Sequence, residues 1–544
     1  MTDGEGAPAA AAAREDEARA LVGRVEARLA PLLREAHLAA WDAATGGGEE
    51  ALARATAARA AATLVFSDPE SAARVRGWLE GGAVRDPLLR RQLQLLDHEY
   101  TRSLLPPETI EDLVRRAGEL EHLFHTHRST FRGARLSNNE LLDALRGTTD
   151  SAARREAWEA SKEIGREAAG PLRELVRRRN AAARALGFET YYAMELHLQE
   201  LGEARLFALL DDFRDRTDAP FRRFREEMDG ALAARFGVAP EALRPWHWDD
   251  FFAQEAPALT GGVELDDVFA GRDLVALAAE FFRGIGLPVE GVLARSDLYE
   301  REGKDQHAFC QDVDREGDVR VLCNLRPNEK WMSTLLHELG HAVYDENVPR
   351  ELPFFLRTVA HTLSTEAIAM YMGRLTRDPA WLRDAAGVEL DPAPAADVRR
   401  QLRAAMLVST RWMLVMAYFE RELYRDPDRP DLDALWWELV ERIQLVRRPD
   451  GRAAPDWAAK IHFSLSPVYY HNYLLGELMA SQISAHARRG VPEGKSIAGE
   501  PRVGAFLRER IFAPGASLDW NGLLVHATGE PLTPRWFVDE FVGP

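Results

Sequence analysis

The stretch Leu335-Leu336-His337-Glu338-Leu339-Gly340-His341-Ala342-Val343-Tyr344 constrains this chain more than any other. It places the pattern H-E-x-x-H inside an apolar run that Trp331 and Met332 extend towards the N-terminus. Residues four apart on an α-helix share a face, so His337 and His341 aim both imidazoles at one point. Glu338 can reach a water held there. Two imidazoles and a carboxylate on so apolar a helix are expensive to desolvate without a partner. Two hydrogen-bonded core histidines are the bland alternative, and a metal is the more economical partner. Zinc takes nitrogen, sulfur or carboxylate ligands, and in catalytic sites it keeps one position open beside three protein ligands. The pattern therefore predicts one Zn2+ ion held by His337 and His341, with Glu338 as a base.

Counting along the chain narrows the third ligand. An H-E-x-x-H-x-x-G-x-x-H pattern needs His at 347, where Asn347 stands, and a Glu nineteen residues past the second His falls on Ala360. Asp345 and Glu346 fall at the end of the same helix. Glu366 lies twenty-five residues past His341, in Leu363-Ser364-Thr365-Glu366-Ala367-Ile368-Ala369-Met370, enough for a turn and a returning helix. A solvated carboxylate at a helix start is the competing reading. The apolar residues that follow favour a buried ligand.

Composition bounds the rest. With 69 basic and 87 acidic residues the formal charge is −18, which argues against nucleic acid and anionic membrane as partners. Cys310 and Cys323 are the only cysteines, so there is no disulfide framework. Residues 1–15 read as a disordered Gly/Ala-rich acidic tail without the features of a signal peptide. No apolar run approaches the ~18 residues of a spanning helix. The expected compartment is the cytoplasm; oligomeric state is open.

Taken in order, the chain is mainly helical with a small β-hairpin beside the site. Helical periodicity covers 16–127, with runs over 49–66, 87–105 and 108–127. His122, His125 and His127 are spaced poorly for one helix face and read as a solvated helix end. A short hairpin is expected over 129–136, and Ser137 to Glu140 has the form of a helix start. Long helices follow over 151–186, 189–201 and 203–236. Trp246, His247 and Trp248 read as packing. A helix over 265–285 stops at Gly284 and Gly286. His307 to Val313 and Asp318 to Cys323 read as two strands around the turn 314–317, with Cys310 and Cys323 as packed thiols facing each other. Helices are expected over 362–375, 396–424, 431–446, 468–489 and 503–512. The expected organisation is one continuous unit, 16–300 as its N-terminal helical part and 301–544 as the part with the zinc site.

His337-Glu338-x-x-His341 with Glu366 on a following helix resembles the gluzincin-type zinc metallopeptidases that include angiotensin-converting enzyme, thimet oligopeptidase and oligoendopeptidase F. Carboxypeptidase Taq is a more distant relative with a similar layout. The resemblance runs through about residues 300–544. Gln306-His307-Ala308, Lys460-Ile461-His462 and Tyr470-His471-Asn472-Tyr473 agree with it, and Arg179-Asn180 to Tyr192 is similar to the group's N-terminal half. It implies a two-lobed helical fold around a deep central channel and hydrolysis of short oligopeptides. It implies that Tyr473 and His462 assist the oxyanion, that His307 and Ala308 contact substrate backbone, and that Lys460 and Tyr470 hold a terminal carboxylate. Without the resemblance, the tyrosines read equally well as packing and Lys460 as an exposed lysine. Release of C-terminal dipeptides is the finer expectation. The alternatives are removal of single C-terminal residues, or a catalytically silent zinc- or peptide-binding homologue. Thr365 and Met370 depart from the group's histidine and aspartate, so the groups behind the zinc ligands must differ, and Asn472 stands where angiotensin-converting enzyme has a chloride-binding arginine.

Overall fold

A computed structural model describes residues 6–82, 84–257 and 263–543. The chain divides into two compact units built from interleaved segments. The first comprises 1–105, 264–390 and 476–532, and the second 106–263, 391–475 and 533–544. Residues 1–5 of the expected tail lie outside the described residues; from Gly6 the chain is helical as far as Asp42.

In the first unit, the helices Pro69–Glu80 and Pro87–Ser103 start alike. Asp68 and Asp86 each accept two backbone N–H groups, and a proline follows at the first helical position. Their apolar faces close a core around Leu21, Val75, Leu93, Leu96 and Tyr100. The antiparallel strands β3 (Phe309–Asp312) and β4 (Val319–Leu322) lie against the motif helix Glu329–Glu346. That helix is capped by Asn328, whose side chain accepts the Trp331 N–H.

The second unit is held together by buried polar clamps as well as apolar packing. Arg154 donates to the carbonyls of Leu145, Trp246 and Trp248 and pairs with Asp249. The strands β1 (Ser129–Phe131) and β2 (Ala134–Leu136) form the expected short hairpin. Ser137 and Glu140 then make a reciprocal capping box. His247 is buried, accepting the Arg244 N–H and bonded to Ser151, as a packing residue. Among the described residues, no helix is long and apolar enough to cross a membrane.

Several expected elements are shorter or broken. The helix expected over 265–285 is two, Asp266–Phe269 and Leu274–Gly284, because Gly271 takes a left-handed conformation between them. The helix over 151–186 is interrupted at Lys162. The helix over 431–446 is α-helical only over Leu432–Leu439, continues as a π-turn over Val440–Gln444 and stops at Leu445, whose φ is +57°. The helix expected from 468 begins at His471, since Val468 has a φ of +54°. The helix Pro69–Glu80 falls within the helical stretch expected over 16–127, between the runs singled out there. The hairpin is also narrower than expected: His307 and Ala308 precede β3, and Cys323 follows β4. Cys310 pairs with Val321, so the two thiols do not face each other; both are free.

Candidate metal centre

His337 and His341 occupy successive turns of the motif helix, with ring centroids 4.9 Å apart. The opposite face buries Met332, Leu335, Leu336 and Leu339 completely. The returning helix Thr362–Gly373 starts at His361, whose ring accepts the Leu363 N–H, and carries Glu366 more than a turn inside.

Two glycines let these helices approach. A Cβ on Gly340 would stand 2.8 Å from the Ala369 Cα, a backbone atom that cannot swing aside. A Cβ on Gly373 would stand 3.3 Å from the His337 Cβ. Ser333 Oγ donates to the Gly373 carbonyl at 2.9 Å across the same contact. The x positions of H-E-x-x-H are therefore not neutral: Gly340 is what admits the helix that brings the third ligand.

As a result, one ligand atom from each of His337, His341 and Glu366 lies within 4.8 Å of the other two. Glu366 Oε2 is 3.7 Å from His337 Nε2. Among the described residues, no other group of three His, Cys, Asp or Glu meets that condition. Burial pushes both imidazoles down, His337 to about 4 and His341, also beside His337, to about 3. Both are neutral at pH 7, the form that binds a metal. Burial raises the Glu366 carboxyl. Two neutral nitrogens and one carboxylate, held close and half-buried, fit zinc with an open fourth position.

Glu338 is buried beside this set. Burial, and then the Glu366 charge, push its carboxyl up to about 8, while the Cys310 backbone N–H donates to it and works in the opposite direction. On the other side, His341 Nδ1 lies 2.7 Å from Thr365 Oγ1. Met370, on the same helix, packs at Gly476 beside Glu366. His307 is 94% exposed, ahead of β3, with Nδ1 3.4 Å from Asp305.

The second unit holds the remaining expected residues. Lys460 is not a freely exposed lysine. Its ammonium donates to Gln254 Oε1 at 2.9 Å, lies over the Phe252 and Trp412 rings, and is pushed by burial down to about 8. Tyr470 OH accepts from Trp412 Nε1 at 2.7 Å, and its ring lies 5.1 Å from His462 and 5.2 Å from Tyr473. Tyr470 is buried and Tyr469 half-buried. His462 is pushed down to about 4, by burial and then by Lys460, and is neutral at pH 7.

Buried residues fix these positions. Arg179 donates to the carbonyls of Phe463 and Ser464, pinning the short helix His462–Leu465. Gln199 donates to the Val468 carbonyl and accepts from Asn472, holding the start of the tyrosine-bearing helix. Gln254 was missed by sequence reasoning. It follows the aromatic connection that reads as packing, and Ala253 before it takes a φ of +53°. Asp250 accepts the N–H groups of Phe252 and Gln254 there. A cavity of about 440 Å³ in this unit is lined by Lys460, Gln254, Phe252 and Asp250 among others. The one available signal was a lone amide two residues after Phe252, which no periodicity marks.

Comparison with known families agrees with this chemistry. The model of Peptidase family M3 matches residues 293–542, the part that contains His337, Glu338, His341, Glu366, Lys460, His462 and Tyr473. The model of Angiotensin-converting enzyme, peptidase family M2, matches residues 12–216. No curated protein matches the chain significantly.

Proposed function

The chain belongs to the zinc metallopeptidases of families M3 and M2, and on that premise we propose that it hydrolyses short oligopeptides and recognises their free C-terminus. The observation that carries the reading is the convergence of His337, His341 and Glu366 from two helices onto one point.

Zinc, when bound there, supplies a Lewis acid that makes a water acidic near pH 7 and polarises a carbonyl. Glu338 takes the water's proton and returns it to the leaving amine. The Cys310 N–H holds its carboxylate in place, and the charge of a dication opposes the shift that burial imposes. Tyr473, with the neutral His462 beside the tyrosine cluster, donates to the developing oxyanion. His307 and Ala308, just ahead of β3, contact substrate backbone. The two-lobed architecture with a deep channel, implied by the resemblance, belongs to the same proposal, as does the cytoplasm as compartment, which two free thiols support.

The finer reading concerns which end of the peptide is recognised. A terminal carboxylate needs a desolvated cation and neutral donors. Lys460 and Gln254, side by side on a cavity wall with Tyr470 in the adjoining ring cluster, form such a set, and release of C-terminal dipeptides is the finer reading it is proposed to serve. Removal of single residues, as by carboxypeptidase Taq, is the second reading.

Turnover of quenched fluorescent peptides, with and without a zinc chelator, tests the first level. Activity that survives complete zinc removal sinks it. Product masses from one decapeptide with a free C-terminus and one amidated test the second. Dipeptide release from the free peptide alone is expected; equal cleavage of both at internal bonds overturns the exopeptidase reading.

A further inference from the structure

A histidine binds a metal through one ring nitrogen, and the hydrogen bond made by the other decides which nitrogen keeps its lone pair. In the candidate centre that second bond is made across the helix pair. His341 Nδ1 lies 2.7 Å from Thr365 Oγ1. Thr365 and Glu366 are consecutive on the helix Thr362–Gly373, so one helix serves both histidines. Glu366 stands beside His337, and Thr365 stands behind His341. This is possible because Gly340 lets the two helices touch.

We propose that Thr365 is a positioning residue that holds His341 as its Nδ1–H tautomer and so reserves Nε2 for the metal. The inference rests on the reading of His337, His341 and Glu366 as a zinc centre. An Nδ1 engaged with a hydroxyl is not a ligand atom, so His341 contributes Nε2. The hydroxyl accepts from Nδ1–H; in the opposite orientation it would donate to Nδ1, the proton would sit on Nε2, and that nitrogen would have no lone pair to offer. A neutral hydroxyl also orients the ring without adding a negative charge behind it. A carboxylate in that place would raise the basicity of the ligand. Met370 supplies none, since its sulfur packs at Gly476. The His341 ring is therefore oriented without an added charge behind it.

The test uses the full chain and zinc alone. Zinc dissociation constants are measured by competition with a chromophoric chelator for the wild type, Thr365→Val and Thr365→Ser, with thermal melting of each metal-free form to follow folding. Valine keeps the shape and removes the acceptor, so zinc affinity should fall about 10–100-fold, and serine should restore it to within a few-fold. Wild-type affinity in Thr365→Val, or a Thr365→Ser as weak as Thr365→Val, overturns the proposal. Should Thr365→Val fail to fold, 15N shifts of selectively labelled histidine in the metal-free wild type decide: Nδ1 protonation of His341 is expected, and Nε2 protonation overturns the assignment. A wild type that binds zinc but cleaves no peptide removes the peptidase reading and leaves the role of Thr365 standing.

Discussion

His337, His341 and Glu366 come from two helices adjacent in sequence, whereas Gln254, Trp412, Lys460 and Tyr470 come from four separate stretches of the other unit. The first cluster is electron-rich: two imidazoles and two carboxylates in apolar surroundings, all shifted towards their neutral forms. Among the described residues it holds no cation of its own, which suits it to a metal ion. The second cluster holds a cation whose direct partners are an amide and aromatic faces, with the Asp250 and Glu255 charges near enough to favour its protonated form. It suits an anion that arrives with a ligand. The first region is therefore suited to a cation, whereas the second offers one of its own.

The comparison can be broken by changing one region at a time. The largest effect should come from Glu338→Gln, which removes the base and keeps the shape. Turnover should fall about 10²–10⁴-fold with zinc still bound, measured by peptide kinetics beside metal analysis. Loss of zinc along with activity would instead make Glu338 part of the binding set.

Gly340→Ala comes next. Alanine is the better helix former by up to ~1 kcal/mol, but its Cβ meets backbone at 2.8 Å, so the overpacking cost of about 1–3 kcal/mol wins. Denaturant melts should show destabilisation, and zinc should bind more weakly as Glu366 is pushed away. An unchanged midpoint would mean that the helix pair has slack.

Lys460→Met should raise KM about 10-fold or more for peptides with a free C-terminus and leave amidated peptides unchanged. The same anchor predicts a pH effect. Lys460 titrates at about 8, so its charge is present below that pH and lost above it. KM for free-carboxylate peptides should climb as pH rises through 8, and the amidated series should stay flat. Parallel behaviour of the two series would remove Lys460 as the anchor.

The smallest effect concerns Lys162, which is fully buried, donates to the Phe251 carbonyl and is pushed down to about 7. The unfolded chain holds this proton up to about 10.5, the folded one only to about 7. Stability contributed by this group is therefore complete above the unfolded value and lost as pH falls through 7, at no more than about 1.4 kcal/mol per pH unit. Between pH 7 and 9 the wild type should gain denaturant resistance relative to Lys162→Met; matching slopes would show that Lys162 titrates normally.

The two regions also differed in how far they could be read in advance. The candidate metal centre was legible because helical spacing converts sequence distance directly into a shared face, and Glu366 sits on the next α-helix, Thr362–Gly373. Helix 203–236 was legible for the same reason, since its periodicity runs unbroken to Gly237. The breaks at Lys162, Leu445 and Val468 were not, because each is a non-glycine residue held by tertiary hydrogen bonds, through its side chain at Lys162 and through its backbone at Leu445 and Val468. Val468, for one, is held by Glu420 and Gln199. Gln254 was invisible for a related reason: its loop conformation depends on the buried Asp250 carboxylate, and nothing local announces it.

By itself the sequence determined the mainly helical class and the candidate metal set of His337, His341 and Glu366, because an H-E-x-x-H helix puts both imidazoles on one face. The tertiary structure decided what surrounds them. It decided that Gly340 is the contact that seats Glu366, that the Cys310 N–H rather than its thiol meets Glu338, that Thr365 backs His341, and that Lys460 finds Gln254. Each of these depends on the distance between elements, and that distance is set by packing, which no spacing along the chain records.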